Sequence, residues 1–412
     1  MYTLYKKFNS DYVYRNKCVV VFIVTLASIL ESIICTIFIP STKSIAHSFN
    51  ISIQEAERSF TWYNNALFFS APFYGIFGSF LGRRTLMVIG SLLLFLGSLI
   101  PIFFLHSNVF FIARLLQGFG ACAAGAVGWA SIQDIFDLKK SASIMSLMGA
   151  IITLVPLCAP LLGGYIDITY SWTVLLKLVS LLTLLYLIFT LFLFPETKID
   201  KKIDISIKES IVNSIIQYKF ILFNNKFIVP SLIFSFSYIC EWLFISFFTV
   251  YYYEYQSSSP ECLGFYFSIL MLFYVIGASI ANVMLKKKNI FYIINFSVNL
   301  MIIICFIRVV YDSIFEFNII VCLIFQSLFL LSSGMIFGPS SAIALKSFPN
   351  FTSVTSSLRT TLLMLGGAIG AWLGSIISLM PIIVFSGLCL FFILIVKILT
   401  KLNYELNTSI AE

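Results

Sequence analysis

Apolar stretches of about twenty residues recur along the whole chain, each long enough to cross a hydrocarbon core of roughly 30 Å. Short polar connectors separate them. The pattern predicts twelve membrane-spanning helices. The first six cover about 18–39, 60–80, 85–105, 109–129, 143–165 and 173–194, and the second six cover about 227–250, 263–285, 290–310, 318–343, 354–378 and 381–399. No series of short segments alternates with the two-residue rhythm of a membrane β-barrel. The expected fold class is all-α: twelve transmembrane helices in two pseudo-symmetric six-helix bundles, residues 1–195 and 227–412, joined by a connector at 196–226.

The connector has a pattern of its own. Ile203, Ile207, Ile211 and Ile215 recur at helical spacing, with Lys208 and Ser210 off that face. An amphipathic helix on the membrane surface fits this spacing. A partly ordered linker is the competing reading.

Composition sharpens the membrane assignment. The chain is 60% hydrophobic and 11% charged, against about a quarter charged in an ordinary soluble protein. The net charge of +8 does not point to nucleic acid, because the lysines and arginines sit in connectors on one side of the spans. Lys17, Arg83, Arg84, Lys139, Lys140, Lys226, Lys286, Lys287, Lys288 and Lys346 would all face the cytoplasm if the N-terminus does. Both termini are therefore expected in the cytoplasm, in a cytoplasmic (inner) membrane. The polar opening segment leads into a full-length span, not a cleavable signal. Nine cysteines without a CxxC pair read as packing residues, and His47 and His106 are both placed in loops. No metal site, cofactor or enzyme chemistry is expected.

Arg114 to Phe136 stands out. Between Gly118 and Gly128 nearly every residue is Gly, Ala or Cys, yet the segment opens with Arg114 and Gln117 one turn apart. Small residues let helices approach closely in a bilayer. A cation inside such a helix faces protein or a wet cavity and marks a functional site by default. Glu31 in the first span and Glu241 in the seventh lie at nearly the same depth behind Lys17 and Lys226, a sign of internal symmetry.

On these residues the chain resembles the major facilitator superfamily, within it the drug:proton antiporters of the bicyclomycin/chloramphenicol-resistance type. RLLQGFG, Arg114 to Gly120, is similar to that family's fourth-helix motif, which implies a proton-coupling role for Arg114 with Gln117 and Gly118. APLLGG, Ala159 to Gly164, is similar to the exporters' fifth-helix motif. Pro156 and Pro160 would bend that helix, and Gly163 and Gly164 would let it pack closely, as a seal or pivot or as a purely structural kink. GIFGSFLGRR aligns with the family's gating motif through Gly75, Gly82, Arg83 and Arg84, but Ser79 stands where the family has an acid. The first span departs too: Thr36 occupies the usual aspartate position ahead of Pro40, and Glu31 is its only acid.

The resemblance implies proton-coupled export of small organic molecules or drugs by alternating access. A carrier for one metabolite, such as a siderophore or another carboxylate, is the alternative. Glu31 is the candidate proton carrier, with Arg114 beside it and Glu241 as the second-half counterpart. A static Glu31–Arg114 ion pair is the competing reading. Tyr63, Asn64 and Asn65 with Trp62, together with Gln117, Trp242 and Arg359, are candidates to line the substrate cavity, although Arg359 can also snorkel to the surface, as Arg308 and Lys177 are expected to. Tyr251, Tyr252 and Tyr253 are expected in an interfacial belt. The expected partners are a small-molecule substrate, protons and the bilayer, with the protein acting as a monomer.

Overall fold

The structure is a computed structural model that describes residues 17–78, 81–197, 207–255, 259–348 and 352–408. Fifteen α-helices are formed there. In chain order they are α1 (Lys17–Thr36), α2 (Thr42–Phe49), α3 (Ile53–Phe77), α4 (Arg83–Phe103), α5 (Ser107–Ala123), α6 (Trp129–Ile135), α7 (Leu138–Thr169), α8 (Trp172–Leu193), α9 (Ile207–Leu222), α10 (Asn225–Tyr255), α11 (Pro260–Leu285), α12 (Ile290–Ile314), α13 (Ile319–Lys346), α14 (Thr352–Ile377) and α15 (Ile382–Thr408). A π-turn, Ala124–Gly128, joins α5 to α6 into one span.

Eleven spans are long and apolar enough to cross a membrane. The twelfth is α3, 25 residues long. Its polar residues, from Gln54 to Asn65, lower its hydropathy, and it crosses by packing against other helices. The remaining two helices lie outside the spans. α2 sits at one end. α9 lies within the connector, and Ile203 lies outside the described residues. Ser79 and Phe80 of the gating motif also lie outside them.

Side-chain caps define the helix starts. Ser52 and Glu55 form a reciprocal capping box at α3. Asp137 accepts from the Lys140 amide at α7, and Ser259 caps α11 just ahead of Pro260. Small residues then set the helix spacing. A methyl on Gly118 would lie 2.5 Å from the Tyr63 carbonyl oxygen of α3, and one on Gly120 would lie 2.4 Å from the Leu94 amide of α4. The small-residue span is thus wedged between α3 and α4. In the second half Gly366, Gly370 and Gly374 of α14 press in the same way on the carbonyls of Ser235, Ile239 and Leu243 in α10.

Two long seams join the halves, α7 against α11 and α3 against α14. One end of the molecule holds Lys17, Arg83, Lys140 and Lys226 and is here called the basic end; the other is the far end. The far end is shut. Gly164 meets the Pro260 carbonyl, Gly264 meets that of Pro160, and Gly163 meets that of Ile37. Gln54 Nε2 donates to the Ser375 carbonyl, and Tyr253 OH donates to the Pro40 carbonyl. At the basic end Ser357 Oγ donates to the Ala71 carbonyl (3.2 Å) and Tyr218 OH of α9 donates to Ser357 Oγ (2.9 Å). Tyr252 and Tyr253 are buried in the far-end seam. The belt expected from their position is corrected here: Tyr253 fills the contact between halves, and Tyr252 packs among Phe248, Tyr253 and Tyr266 within the second half.

Candidate functional site

Arg114 lies two turns into α5 and is 1% exposed. Its Nη1 donates to the Ile34 carbonyl of α1 (3.0 Å) and to Gln117 Oε1 (2.9 Å). The guanidinium carbon stands 4.7 Å from the Tyr63 ring centre, 5.5 Å from that of Phe38 and 5.6 Å from that of Phe60. Three π-faces stabilise the cation without a counter-charge. Nε and Nη2 have no hydrogen-bond partner. The expected alternative of a Glu31–Arg114 ion pair is therefore corrected: the arginine turns toward rings and a carbonyl.

Glu31 is half-buried on α1, one turn before Ile34. Its carboxylate makes no hydrogen bond or ion pair among the described residues. The two groups are linked through Tyr63, which underlies the guanidinium and whose hydroxyl donates to the Glu31 backbone carbonyl (3.1 Å). A change at Glu31 is one side chain away from Arg114.

The other expected lining residues separate into groups. Gln117 accepts from Arg114 and donates to Ser98 Oγ of α4 (3.2 Å), so it braces the first bundle from within. Asn64 is buried and donates to the Phe60 carbonyl of its own helix, leaving its own oxygen unpartnered. Asn65 is half-buried, and Trp62 is 43% exposed on the outer side of α3, away from Tyr63. The helix period explains that split: 62 and 63 are 100° apart.

In the second half Glu241 is buried and accepts from Ser333 of α13. Trp242 packs edge-on to Tyr238, and both lie against Gly367 of α14. Arg359 does not snorkel. It folds back on α13, donating to Ser341 Oγ (2.6 Å) with its guanidinium 5.5 Å from the Phe337 ring centre, and its Nε is buried without a partner. Arg308 does not snorkel either. It is buried, paired with Asp312 at 3.4 Å, donating to Cys322 Sγ at 3.2 Å and stacked on Phe385. The outward reading fails because its neighbours supply a counter-charge inside the bundle.

The gating residues form a clasp. Gly82, at φ +87°, turns the chain into α4. Arg83 and Arg84 then offer their backbone amides to Glu196 (2.8 and 3.2 Å), which caps α4 from the end of α8. Arg83 Nε pairs with Asp134 of α6 at 2.9 Å, and Thr197 donates to the same carboxylate. Arg84 reaches the Leu191 carbonyl. Gly75 packs on Tyr218 of α9. Asp134 and Glu196 were not singled out by sequence; the PETK stretch following α8 was the available signal. On α7, Pro156 and Pro160 lie within one continuous helix, and Gly163 and Gly164 face α1 and α11.

One acid escaped the sequence reading altogether. Glu57 falls before the predicted second span, but α3 begins at Ile53 and buries it completely.

These features define a membrane-spanning two-bundle protein whose seams and buried cations lie between packed helices. The chain belongs to the Major Facilitator Superfamily, whose family model matches residues 21–371. It is 28% identical over 185 residues to the Bicyclomycin resistance protein homolog of Haemophilus influenzae, covering 44% of this chain and 46% of that protein. It is 30% identical over 199 residues to the Multidrug transporter MdfA of Yersinia pestis, covering 48% of this chain and 47% of that one. These matches thus span about half the length of the relatives. In fold, the chain superposes on the D-xylose-proton symporter with a TM-score of 0.71 at 13% identity, covering 92% of this chain and 96% of the symporter.

Proposed function

We propose that this protein is a secondary active transporter of a cytoplasmic membrane that exports small organic molecules in exchange for protons. The observation that carries the reading is the first-half site: a buried arginine without a counter-charge, joined by one tyrosine to the backbone of Glu31, whose carboxylate has no partner among the described residues. Ionisable groups left unsatisfied inside a membrane protein are costly as mere structure and are retained for ion or substrate pathways. The relatives named for bicyclomycin and multidrug resistance support a drug-like cargo.

The basic end faces the cytoplasm, with both termini on that side, and the protein works as a monomer. The bundles, 1–195 and 227–412, rock about the α7–α11 and α3–α14 seams. Glu31 takes up and gives back the proton. Its charge is felt at Arg114 through Tyr63, which in turn holds α1, α3 and α5 in register. Glu241, Trp242 and Arg359 line the opposite wall with Asn65. The Gly163–Gly164 face of α7 closes the outer path. The clasp at Arg83 keeps α4, α6 and α8 moving as one body.

Purified protein in proteoliposomes, with a pH-sensitive dye and a panel of cationic drugs, neutral antibiotics and polycarboxylate chelators, tests the reading. Proton movement driven by the cationic or neutral drugs is the expected result. Movement driven by the carboxylates alone would overturn drug export and make Arg114 and Arg359 anion anchors.

A further inference from the structure

The far-end seam contains a carboxylic acid in an unusual place. Glu57 of α3 is 0% exposed, and neither of its carboxyl oxygens completes a hydrogen bond among the described residues. It faces the second half. Ser246 of α10 lies beside it, and the Ser246 hydroxyl is likewise unpartnered. Ser246 is itself pinned from behind, since a methyl on Gly374 of α14 would lie 2.7 Å from its Cβ. One turn before Glu57, Gln54 is hydrogen-bonded to the Ser375 carbonyl of α14. The acid therefore sits where α3, α10 and α14 converge, within the contact that shuts the far end.

The charges around it do not neutralise it. Arg58, next along the same helix, is exposed; its charge reaches Glu57 but is the weakest of the influences on it, after burial and Ser246. α10 presents a serine, and α14 presents Gly374 and Ser375. Among the described residues, α10 and α14 bring no lysine, arginine or histidine to bear on Glu57. An ionised carboxylate buried without a counter-charge or hydrogen bonds is strongly disfavoured, whereas a neutral acid with a serine beside it is tolerated. Opening the seam would expose the same carboxyl to water on the far side, where it would ionise freely.

We propose that Glu57 is a second proton-exchange group, which carries its proton while the far end is closed and releases it when that end opens. The inference rests on reading the chain as an alternating-access carrier, but it concerns the gate, not the cargo. Protonation at Glu57 favours closure, and deprotonation favours opening. The balance is simple: one O–H bond breaks at the carboxyl, and the proton passes to far-side water. By linkage, a far side more acidic than the cytoplasm would return the outward-open carrier to the closed form.

The test measures the seam without any substrate. Nitroxide labels at His47 and Met380, both exposed at the far end, report the distance across it once the exposed Cys18, Cys158 and Cys262 are replaced. In the otherwise unaltered protein the closed-to-open ratio should fall about tenfold from acidic to alkaline buffer, the size of a modest population shift. Glu57→Gln should stay closed in both buffers, and Glu57→Asp should restore the dependence with a displaced midpoint. Glu31→Gln should keep the dependence while losing drug-driven proton flux. A Glu57→Gln protein that opens with pH like its parent would overturn the inference. Were Glu57→Gln not to fold, an unchanged midpoint in Glu57→Asp would overturn it equally. Were drug-driven flux absent while the seam still followed Glu57, the antiport reading would fail and the gate would stand.

Discussion

Arg114 and Glu31 in the first half and Arg308 and Glu241 in the second sit in very different surroundings. In the second half Arg308 and Glu241 are satisfied, although Arg359 keeps a buried Nε without a partner. Arg308 has Asp312, Cys322 and the Phe385 ring, and Glu241 has Ser333. In the first half Arg114 has rings and a carbonyl but no carboxylate, two of its nitrogens are idle, and Glu31 has no partner. A buried ion pair with its hydrogen bonds complete is held in one arrangement. A charge left partly unsatisfied responds to a proton, a substrate or a helix shift. The Arg114–Glu31 site is thus poised to change state, and the Arg308 and Glu241 sites are fixed.

Exchanging residues between these roles should break the difference. Arg114→Met is the most damaging substitution: it keeps the volume and loses the cation over three rings. Transport should fall by at least about a hundredfold with the protein still folded, read as uptake in inverted vesicles; in barrier terms this is two factors of ten. Arg308→Met should act on stability instead. Leaving Asp312 buried alone costs about 3–5 kcal/mol, visible as a lower melting temperature in detergent, and stabilised conditions should return most of the transport. A folded Arg308→Met protein with no transport would erase the distinction between halves.

Smaller effects sharpen it. Gly164→Ala puts a methyl 2.4 Å from the Pro260 carbonyl, so the far end cannot close fully. Turnover should drop about tenfold, with the His47–Met380 distance biased toward open. Ser333→Ala should lower transport by no more than about fivefold, since a hydrogen bond contributes only about 1 kcal/mol.

The fold was legible because the bilayer imposes its length on every span. The boundaries of α3 were less so. Gln54, Glu55, Glu57 and Arg58 look like loop residues, and only the seam with α10 and α14 explains why a helix buries one of them. Arg114 announced itself as a cation among glycines and alanines. Its lack of an acid partner did not, because it depends on Phe60 and Tyr63 arriving from α3 and Phe38 from the turn after α1. Arg308 and Tyr253 were misread for one reason: depth along a helix was visible, but the direction a side chain faces depends on its neighbours. Asp134 and Glu196 lie 51 and 113 residues from Arg83, and nothing local joins them.

The most direct test compares the two carboxylates under one condition. Drug-driven proton release would be recorded in proteoliposomes carrying the wild type, Glu31→Gln or Glu241→Gln, at matched protein density. Release should vanish for Glu31→Gln and persist within about fivefold for Glu241→Gln, the margin of one hydrogen bond. Full release from Glu31→Gln, with loss in Glu241→Gln, would contradict the assignment and move the proton to the second half.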